Sequence, residues 1–127
     1  GSDRGLGYVL CERLAKQGHQ VFAGVFDKKN VSSNFFHSDN IVTYHTDVAD
    51  ESTMQKVASD FLAKNIKIDA VVHVAGVLMR SDRENSLLTA SIDDLMTAFK
   101  INVAGIIMSF RTFYPQMNKG GIYIAVT

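Results

Sequence analysis

The chain has 127 residues, of which 46% are hydrophobic and 20% charged, and its 13 basic and 13 acidic side chains give a formal net charge of zero. This length and composition fit a single globular domain and exclude a disordered tail or a collagen-like repeat. The balanced charge gives no electrostatic reason to expect a nucleic acid or an anionic membrane as partner. The longest apolar runs are far shorter than the roughly 20 residues that a membrane-spanning helix requires.

The segment after the opening glycines is predicted to be a helix, because Leu6, Leu10 and Leu14 recur at helical spacing. Gly18 is typical of the C-terminal end of such a helix. The strands that follow are predicted from short runs rich in β-branched and aromatic residues: residues 20–26, 41–46 and 68–74. A polar loop is predicted for residues 27–40.

A second helix is predicted after Asp50, which can cap it, because apolar residues then follow the i, i+3, i+4, i+7, i+8 pattern of one buried face. Residues 77–90 are predicted to form a polar connection. Ser91 and the acidic residues after it resemble a capping box, and they predict a long amphipathic helix that continues through Phe110. The last strand, residues 122–126, is predicted to follow a turn at two adjacent glycines.

Strands separated by helices predict an α/β fold with a parallel sheet that is covered on both faces, giving three layers. Ligands of such sheets bind beyond the carboxyl ends of the strands. The residues at the strand ends are therefore the candidates for function.

Neither the cysteine nor the histidines predict a metal site. Cys11 is the only cysteine, so it cannot form an internal disulfide; it suits a reducing, cytoplasmic compartment and is interpreted as a small apolar residue of the core. The histidines lack the short spacing of metal ligands: His19, His37, His45 and His73. We interpret His73 as a strand-end residue that is hydrogen-bonded to the backbone.

Residues 1–7, here called the glycine loop, contain Gly1, Gly5 and Gly7 and lead directly into the first predicted helix. Glycines allow a backbone to approach a pyrophosphate, and a helix N-terminus supplies unpaired N–H donors. Taken alone, the pattern fits a plain glycine turn equally well, because its spacing differs from the common dinucleotide-binding fingerprint and no strand precedes it.

Three further motifs follow in chain order: Thr46-Asp47-Val48, Val72-His73-Val74-Ala75-Gly76 and Ile101-Asn102-Val103-Ala104-Gly105. Together with the glycine loop, in this order and spacing, they resemble the short-chain dehydrogenase/reductase family. The resemblance extends over essentially the whole chain. It implies a Rossmann-type doubly wound parallel sheet, with residues 1–127 as part of a dinucleotide-binding domain.

The resemblance implies that the glycine loop holds the pyrophosphate of a nicotinamide cofactor and that Asp47 and Val48 border its adenine. The family's Asn-Asn-Ala-Gly segment corresponds to residues 73–76, where only Ala75 and Gly76 match, so contact with the cofactor's ribose is inferred for these two. The implied cofactor-binding residues are Gly1, Ser2, Asp3, Arg4, Gly5, Leu6, Gly7, Asp47, Val48, Ala75 and Gly76.

Asn102 is unusual because an asparagine within an apolar helix is unfavourable and needs a hydrogen-bond partner; the alternative is a position on the polar face of the helix. The resemblance implies that Asn102 is the active-site asparagine, which holds a water that relays protons from a catalytic lysine. Thr127 falls on the family's catalytic serine or immediately before it. The family's Tyr-x-x-x-Lys motif does not occur in this sequence.

The charges near the glycine loop favour NADP(H) over NAD(H). In the family, an acidic residue at the end of the second strand selects NAD through the ribose 2'-hydroxyl, but residues 25–26 are valine and phenylalanine here, and Asp27 lies slightly beyond. Arg4 lies within the glycine loop and lysines occupy residues 28–29. Since a guanidinium is well suited to phosphate, we expect NADP(H), with NAD(H) as the alternative; solvated surface charge is the alternative role for the lysines.

The chain begins without an initiator methionine and stops within an apolar run, so both ends are interpreted as cut; a Gly-Ser cloning remnant is the alternative for residues 1–2. We expect the first strand and the C-terminal part of the fold to be absent. The strand segments 21–23 and 71–72 would then each lack a neighbour. The isolated polypeptide is therefore expected to be aggregation-prone and without reductase activity.

The function predicted for the full-length protein is hydride transfer between NADP(H) and a carbonyl or alcohol substrate. By resemblance, the long helix around Ile106 and Phe110 builds a subunit interface, which predicts a homo-oligomer. Two alternatives remain open. One is a dinucleotide sensor or interaction subunit without catalysis, and the other is an inactive fragment.

Overall fold

The computed structural model describes residues 1–32, 34–80 and 88–127. Helices and strands follow in the order α1 (Gly5–Lys16), β1 (Val21–Val25), β2 (Ile41–His45), α2 (Glu51–Ala63), β3 (Ile68–His73), α3 (Ile92–Phe99), α4 (Gly105–Phe113) and β4 (Met117–Ala125). Short 3-10 helices cover Lys28–Val31 and Tyr114–Gln116, and a π-helical turn, Lys100–Ala104, joins α3 to α4. The predicted α/β fold class is confirmed.

Both pairs of strands are parallel, as predicted. Strand β1 pairs with β2 from Val21 opposite Ile41 onwards, and β3 pairs with β4 up to His73 opposite Ala125. Within the described residues, β1 and β3 have no other strand neighbour, and a cleft of ≈ 480 Å³ lies between them.

The core next to β1 is built from small and aromatic side chains. Ala23 and Val25 of β1 are almost fully buried, and Cys11 of α1 packs in the same cluster with 7% of its surface exposed. Tyr8 stacks on Phe36 with ring centroids 5.0 Å apart. The interpretation of Cys11 as a core residue is confirmed, and its burial raises the pKa of the thiol.

Helix caps follow the sequence prediction. The Asp50 carboxylate accepts a hydrogen bond from the Ser52 N–H at 3.0 Å, and the Ser91 hydroxyl accepts one from the Asp94 N–H at 3.4 Å. Each cap satisfies one of the N–H groups that a helix leaves unpaired at its start.

One predicted boundary was wrong, and two predicted elements contain additional local structure. Gly120 and Gly121 do not form a turn before the last strand but lie within β4, where a register shift opposite Ile68 to Ala70 accommodates the irregularity and Gly120 adopts a φ of +83°. The predicted long helix continues from Ile92 to Phe113 through the π-helical turn, in which the hydrogen bonds run to the fifth residue instead of the fourth. The loop 27–40 contains a 3-10 helix, and part of the predicted connection 77–90 lies outside the described residues.

The outward face of α3 and α4 is rich in exposed apolar side chains: Ile92, Met96, Phe99, Val103, Ile107 and Phe110. The apolar face around Ile106 and Phe110, which the resemblance assigns to a subunit interface, is partly exposed in the described part of the chain. No helix in these described ranges has both the length and the apolar character needed to cross a membrane.

Candidate functional site

The glycine loop lies against the carboxyl ends of β1 and β3. The N–H groups of Gly1 and Ser2 both donate to the Gly24 carbonyl oxygen, at 3.2 and 3.0 Å. A Cβ placed on Gly1 would lie 2.6 Å from the Ala75 nitrogen, and one on Gly7 would overlap the Gly1 carbonyl oxygen. The structure therefore brings the glycine loop and Ala75 together, at the edge of the sheet where the sequence places the candidate site.

The N-terminus of α1 differs from those of α2 and α3 because no side chain caps it. Its first residue, Gly5, has a φ of +56°, and no atom of the described residues lies within 4 Å of the place a Cβ would take. Unpaired N–H groups and the helix dipole make such an end suitable for an anion. Leu6 is exposed beside it, with 59% of its surface accessible.

Asp3 connects the glycine loop to the residues that follow β1. Its Oδ1 accepts a hydrogen bond from the Phe26 N–H at 2.8 Å, and its Oδ2 accepts one from the Asp27 N–H at 2.7 Å. The adjacent Arg4 is exposed, as are Lys28 and the neighbouring lysine at position 29. These three cationic side chains therefore lie next to residues that are joined by the hydrogen bonds of Asp3.

Asp47 and Val48 have different surroundings. The Asp47 carboxylate accepts a hydrogen bond from the Ala49 N–H at 2.8 Å, and the Asp47 N–H donates to the Thr53 hydroxyl at 2.9 Å, so this residue fixes the turn before α2. Val48 packs against Gly105, where a Cβ would lie 3.1 Å from the valine side chain. Gly105 therefore allows α4 to approach the residues that follow β2.

Asn102 lies in the π-helical turn and is half-buried. Its Oδ1 accepts a hydrogen bond from the Val77 N–H at 2.8 Å, and its Nδ2 donates to the Val77 carbonyl oxygen, also at 2.8 Å. The expected need for a partner is thereby confirmed, and the alternative of a position on the polar face was wrong. The sequence did not identify Val77 as this partner, 25 residues away.

His73 ends β3 with only 5% of its surface exposed, and its Nε2 has no hydrogen-bond partner in the described part of the chain. Burial lowers the pKa of His73, and a backbone hydrogen bond at Ala75 opposes the shift. The backbone interaction agrees with the sequence interpretation. Burial therefore favours the neutral form of this histidine.

Thr127 lies two residues beyond the end of β4 and is exposed. Residue 126 extends the pairing by donating its N–H to the His73 carbonyl oxygen at 2.9 Å. Thr127 thus follows a strand end next to β3. Its assignment as a catalytic position stays a prediction.

A sequence model described as enoyl-(acyl carrier protein) reductase matches residues 1–127. The chain is 28% identical over 121 residues to 1-hydroxy-2-glutathionyl-2-methyl-3-butene dehydrogenase of Rhodococcus sp. (strain AD45), covering 94% of this chain and 50% of the relative. It is 27% identical over 129 residues to the NADPH-dependent pterin aldehyde reductase of Arabidopsis thaliana, covering 98% and 52%. The chain thus spans about half the length of these relatives.

Solved structures agree in fold. The short-chain dehydrogenase/reductase of the glucose/ribitol dehydrogenase type from Brucella melitensis superposes with a TM-score of 0.84 at 16% sequence identity, covering 98% of this chain and 53% of that one. At this level of identity the similarity establishes the fold alone.

We predict that Asn102→Ala lowers the free energy of unfolding by about 2 kcal/mol, because both polar groups of the Val77 backbone lose their partner. Urea denaturation of the full-length protein measures this change. Asn118→Ala is the matched control, since Asn118 bonds the Asp69 carboxylate at an exposed position, and we expect a loss of roughly 0.5 kcal/mol or less. Equal losses in the two variants would contradict the role given to Asn102.

We also predict that stability decreases as the pH falls below about 6.5, the ordinary pKa of histidine. The pKa of His73 is lowered in the folded state, so the unfolded chain binds a proton more readily. The contribution of His73 to the free energy of unfolding is therefore fully present above that pH and is lost in acid. Denaturation curves recorded between about pH 5 and 8 test this pH dependence of stability, because that range brackets the ordinary histidine pKa of roughly 6.5. His73→Asn should flatten the dependence, whereas the exposed His37→Asn should retain it.

Proposed function

Because the chain belongs to the short-chain dehydrogenase/reductase family, we propose that it forms the dinucleotide-binding part of an oxidoreductase that transfers hydride between NADP(H) and a small carbonyl or alcohol substrate. The observation that carries this proposal is the uncapped N-terminus of α1, held by the glycine loop against the strand ends. Gly1 and Gly7 occupy positions of this loop where a Cβ would collide with backbone atoms.

The residues present fit a dinucleotide. The N–H groups of the first turn of α1 would bind the pyrophosphate, since they are uncapped and open space lies beside Gly5. Ala75 and Gly76 follow the buried end of β3 and would lie along the ribose, and Val48 would border the adenine. When bound, the cofactor supplies the hydride donor or acceptor, and the protein supplies binding and orientation.

The preference for NADP(H) is proposed from the exposed cations. Arg4 occupies the N-cap position of α1 with its side chain in solvent, and the lysines at 28–29 start the 3-10 helix after β1. A guanidinium binds a phosphate through paired hydrogen bonds, which the 2'-hydroxyl of NAD(H) cannot match. An NADPH-dependent reductase among the relatives supports this choice.

Asn102 and Thr127 are proposed as the residues of this chain that lie nearest to the site of hydride transfer. The Asn102 side chain fixes the backbone of Val77, which follows Gly76, and so connects the π-helical turn to the end of β3. We propose that Asn102 also orients a water for proton relay and that Thr127 marks the strand end where the substrate binds. The family's catalytic tyrosine and lysine belong to a motif that this sequence does not contain.

The alternative function is a dinucleotide sensor or interaction subunit, which would bind the cofactor without turning it over. Oxidation of NADPH by the full-length protein with a panel of small aldehydes and ketones separates the two proposals. Turnover supports the enzyme, whereas tight NADPH binding without turnover supports the sensor. We further propose a homo-oligomer through the exposed apolar face of α3 and α4, and a cytoplasmic location consistent with the single cysteine.

We predict that Gly7→Val in the full-length protein reduces the affinity for NADPH by about a hundredfold or more, because the new side chain displaces the Gly1 carbonyl and disturbs the phosphate site. Fluorescence titration measures the affinity, and thermal melting shows whether the variant is folded. Gly18→Ala is the control, since it also imposes strain, at a φ of +90°, but at the other end of α1. A folded Gly7→Val protein with unchanged affinity would remove the glycine-loop assignment.

We predict that Arg4→Ala weakens NADPH binding by about tenfold and NADH binding by much less, because only NADPH offers a 2'-phosphate to the guanidinium. Parallel titrations with both cofactors measure the difference. Arg13→Ala, at the far end of α1, is the control and should change neither affinity. Equal losses for the two cofactors after Arg4→Ala would count against the NADP(H) preference.

A further inference from the structure

Gly105 begins α4 directly after the π-helical turn that contains Asn102, and it is buried. A Cβ at this position would lie 3.1 Å from both the Cβ and the Cγ2 of Val48 and 3.2 Å from the Val48 carbonyl oxygen. Carbon atoms attract each other best at about 3.5–4.0 Å, so these distances are too short for an unstrained side chain. Any larger residue at position 105 would therefore press against Val48.

Helix geometry alone does not require glycine at this position. Gly105 has a φ of −58° and a ψ of −38°, which are ordinary helical values for any residue. Alanine is more favourable than glycine in the interior of a helix, so the local preference is for a side chain. The tertiary contact with Val48 is therefore the physical reason for glycine.

Hydrogen bonds anchor the segments on both sides of this contact. On one side, the Asp47 N–H donates to the Thr53 hydroxyl at 2.9 Å and fixes the turn that contains Val48. On the other side, the Asn102 amide holds both polar groups of the Val77 backbone at 2.8 Å. Because both segments are anchored, a new Cβ between them would have to displace either the valine or the asparagine.

Val48 also borders the candidate site. It is half-buried, and it lines the cleft between β1 and β3 together with Gly1 and Ser2 of the glycine loop. A displacement of Val48 would therefore change the shape of the site. Gly105 thus connects the residue proposed to border the adenine with the turn that carries Asn102.

We propose that Gly105 is a positioning residue of the dinucleotide site: because it lacks a side chain, it sets where Val48 lies beside the adenine relative to Asn102. This inference rests on the proposed function. Gly105 acts through Val48 and not through a contact of its own with the cofactor. It keeps the adenine end of the site and the π-helical turn at one fixed spacing.

The test is the Gly105→Ala variant of the full-length protein, titrated with NADPH and with the etheno-adenine derivative of NADP, in which the adenine is the fluorophore. We expect NADPH to bind about tenfold more weakly and the emission of the bound etheno-adenine to change, because Val48 is displaced beside the base. Thermal melting should show a folded protein, since alanine favours the helix. A role in helix packing alone would leave this emission unchanged.

Val48→Ala supplies a second arm, because it removes the Cγ2 atom that the new side chain would meet. We expect the double variant to bind NADPH within about threefold of Val48→Ala alone, since substitutions of residues in contact are not additive. The double variant also decides the question if Gly105→Ala does not fold by itself. Thr112→Ala is the matched control: its hydroxyl donates to the Met108 carbonyl of the same helix, and its removal should leave NADPH binding unchanged.

Recovery in the double variant, together with unchanged binding in Thr112→Ala, supports the proposal. A folded Gly105→Ala protein that binds NADPH within about threefold of the unmodified protein overturns it. Losses that simply add in the double variant, or a double variant that does not fold, also overturn it and leave Gly105 as a helix-packing residue only. Binding of neither cofactor to the unmodified protein would instead refute the proposed function, and this inference with it.

Discussion

The candidate site depends on one steric constraint, which is the backbone-to-backbone contact between the glycine loop and the ends of β1 and β3. Gly1 lies so close to Ala75 that no side chain fits between them, and a Cβ on Gly7 would overlap the Gly1 carbonyl oxygen. Main-chain hydrogen bonds to Gly24 fix the same segment from the other side. Because the loop is held by main-chain atoms, the uncapped start of α1 stays at the edge of the sheet where the strands end.

The second half of the site depends on a partly buried polar contact. Asn102 satisfies both backbone groups of Val77, and the π-helical turn around it places the amide within a segment that is otherwise apolar. Unpaired polar groups at this depth would be costly, so the contact fixes the helix relative to the end of β3. Gly105, one residue beyond that turn, lets α4 pack against Val48. Three motifs that are distant in sequence therefore meet at one edge.

Opposite charges on adjacent residues distinguish this glycine loop. Arg4 extends into solvent, whereas Asp3 is bound to two backbone N–H groups of the turn after β1. The Asp3 carboxylate is thus held in place by two hydrogen bonds, whereas the Arg4 side chain is exposed to solvent. The folded loop therefore presents an exposed cation beside a positioned anion.

Much of the architecture followed from local sequence patterns. Helical spacing of apolar residues, the caps at Asp50 and Ser91, and the β-branched runs of the strands were sufficient for the α/β class, since each depends on residues within a few positions of one another. The need of Asn102 for a partner was also predictable, because an amide within an apolar helix is unfavourable wherever the helix lies. By contrast, the turn expected at Gly120 was wrong, because a bulge in the pairing with β3 absorbs the irregular backbone within β4.

The sequence by itself determined the types of element, their order and the residues able to approach a phosphate. Only the tertiary structure decided which groups meet: Asp3 with the N–H groups of Phe26 and Asp27, Asn102 with Val77, and Gly105 with Val48. These partners are separated by more than twenty residues along the chain, so no helical or strand periodicity connects them. They come together because parallel strands place their carboxyl ends at a common edge, where the packing of the helices brings the loops and turns into contact.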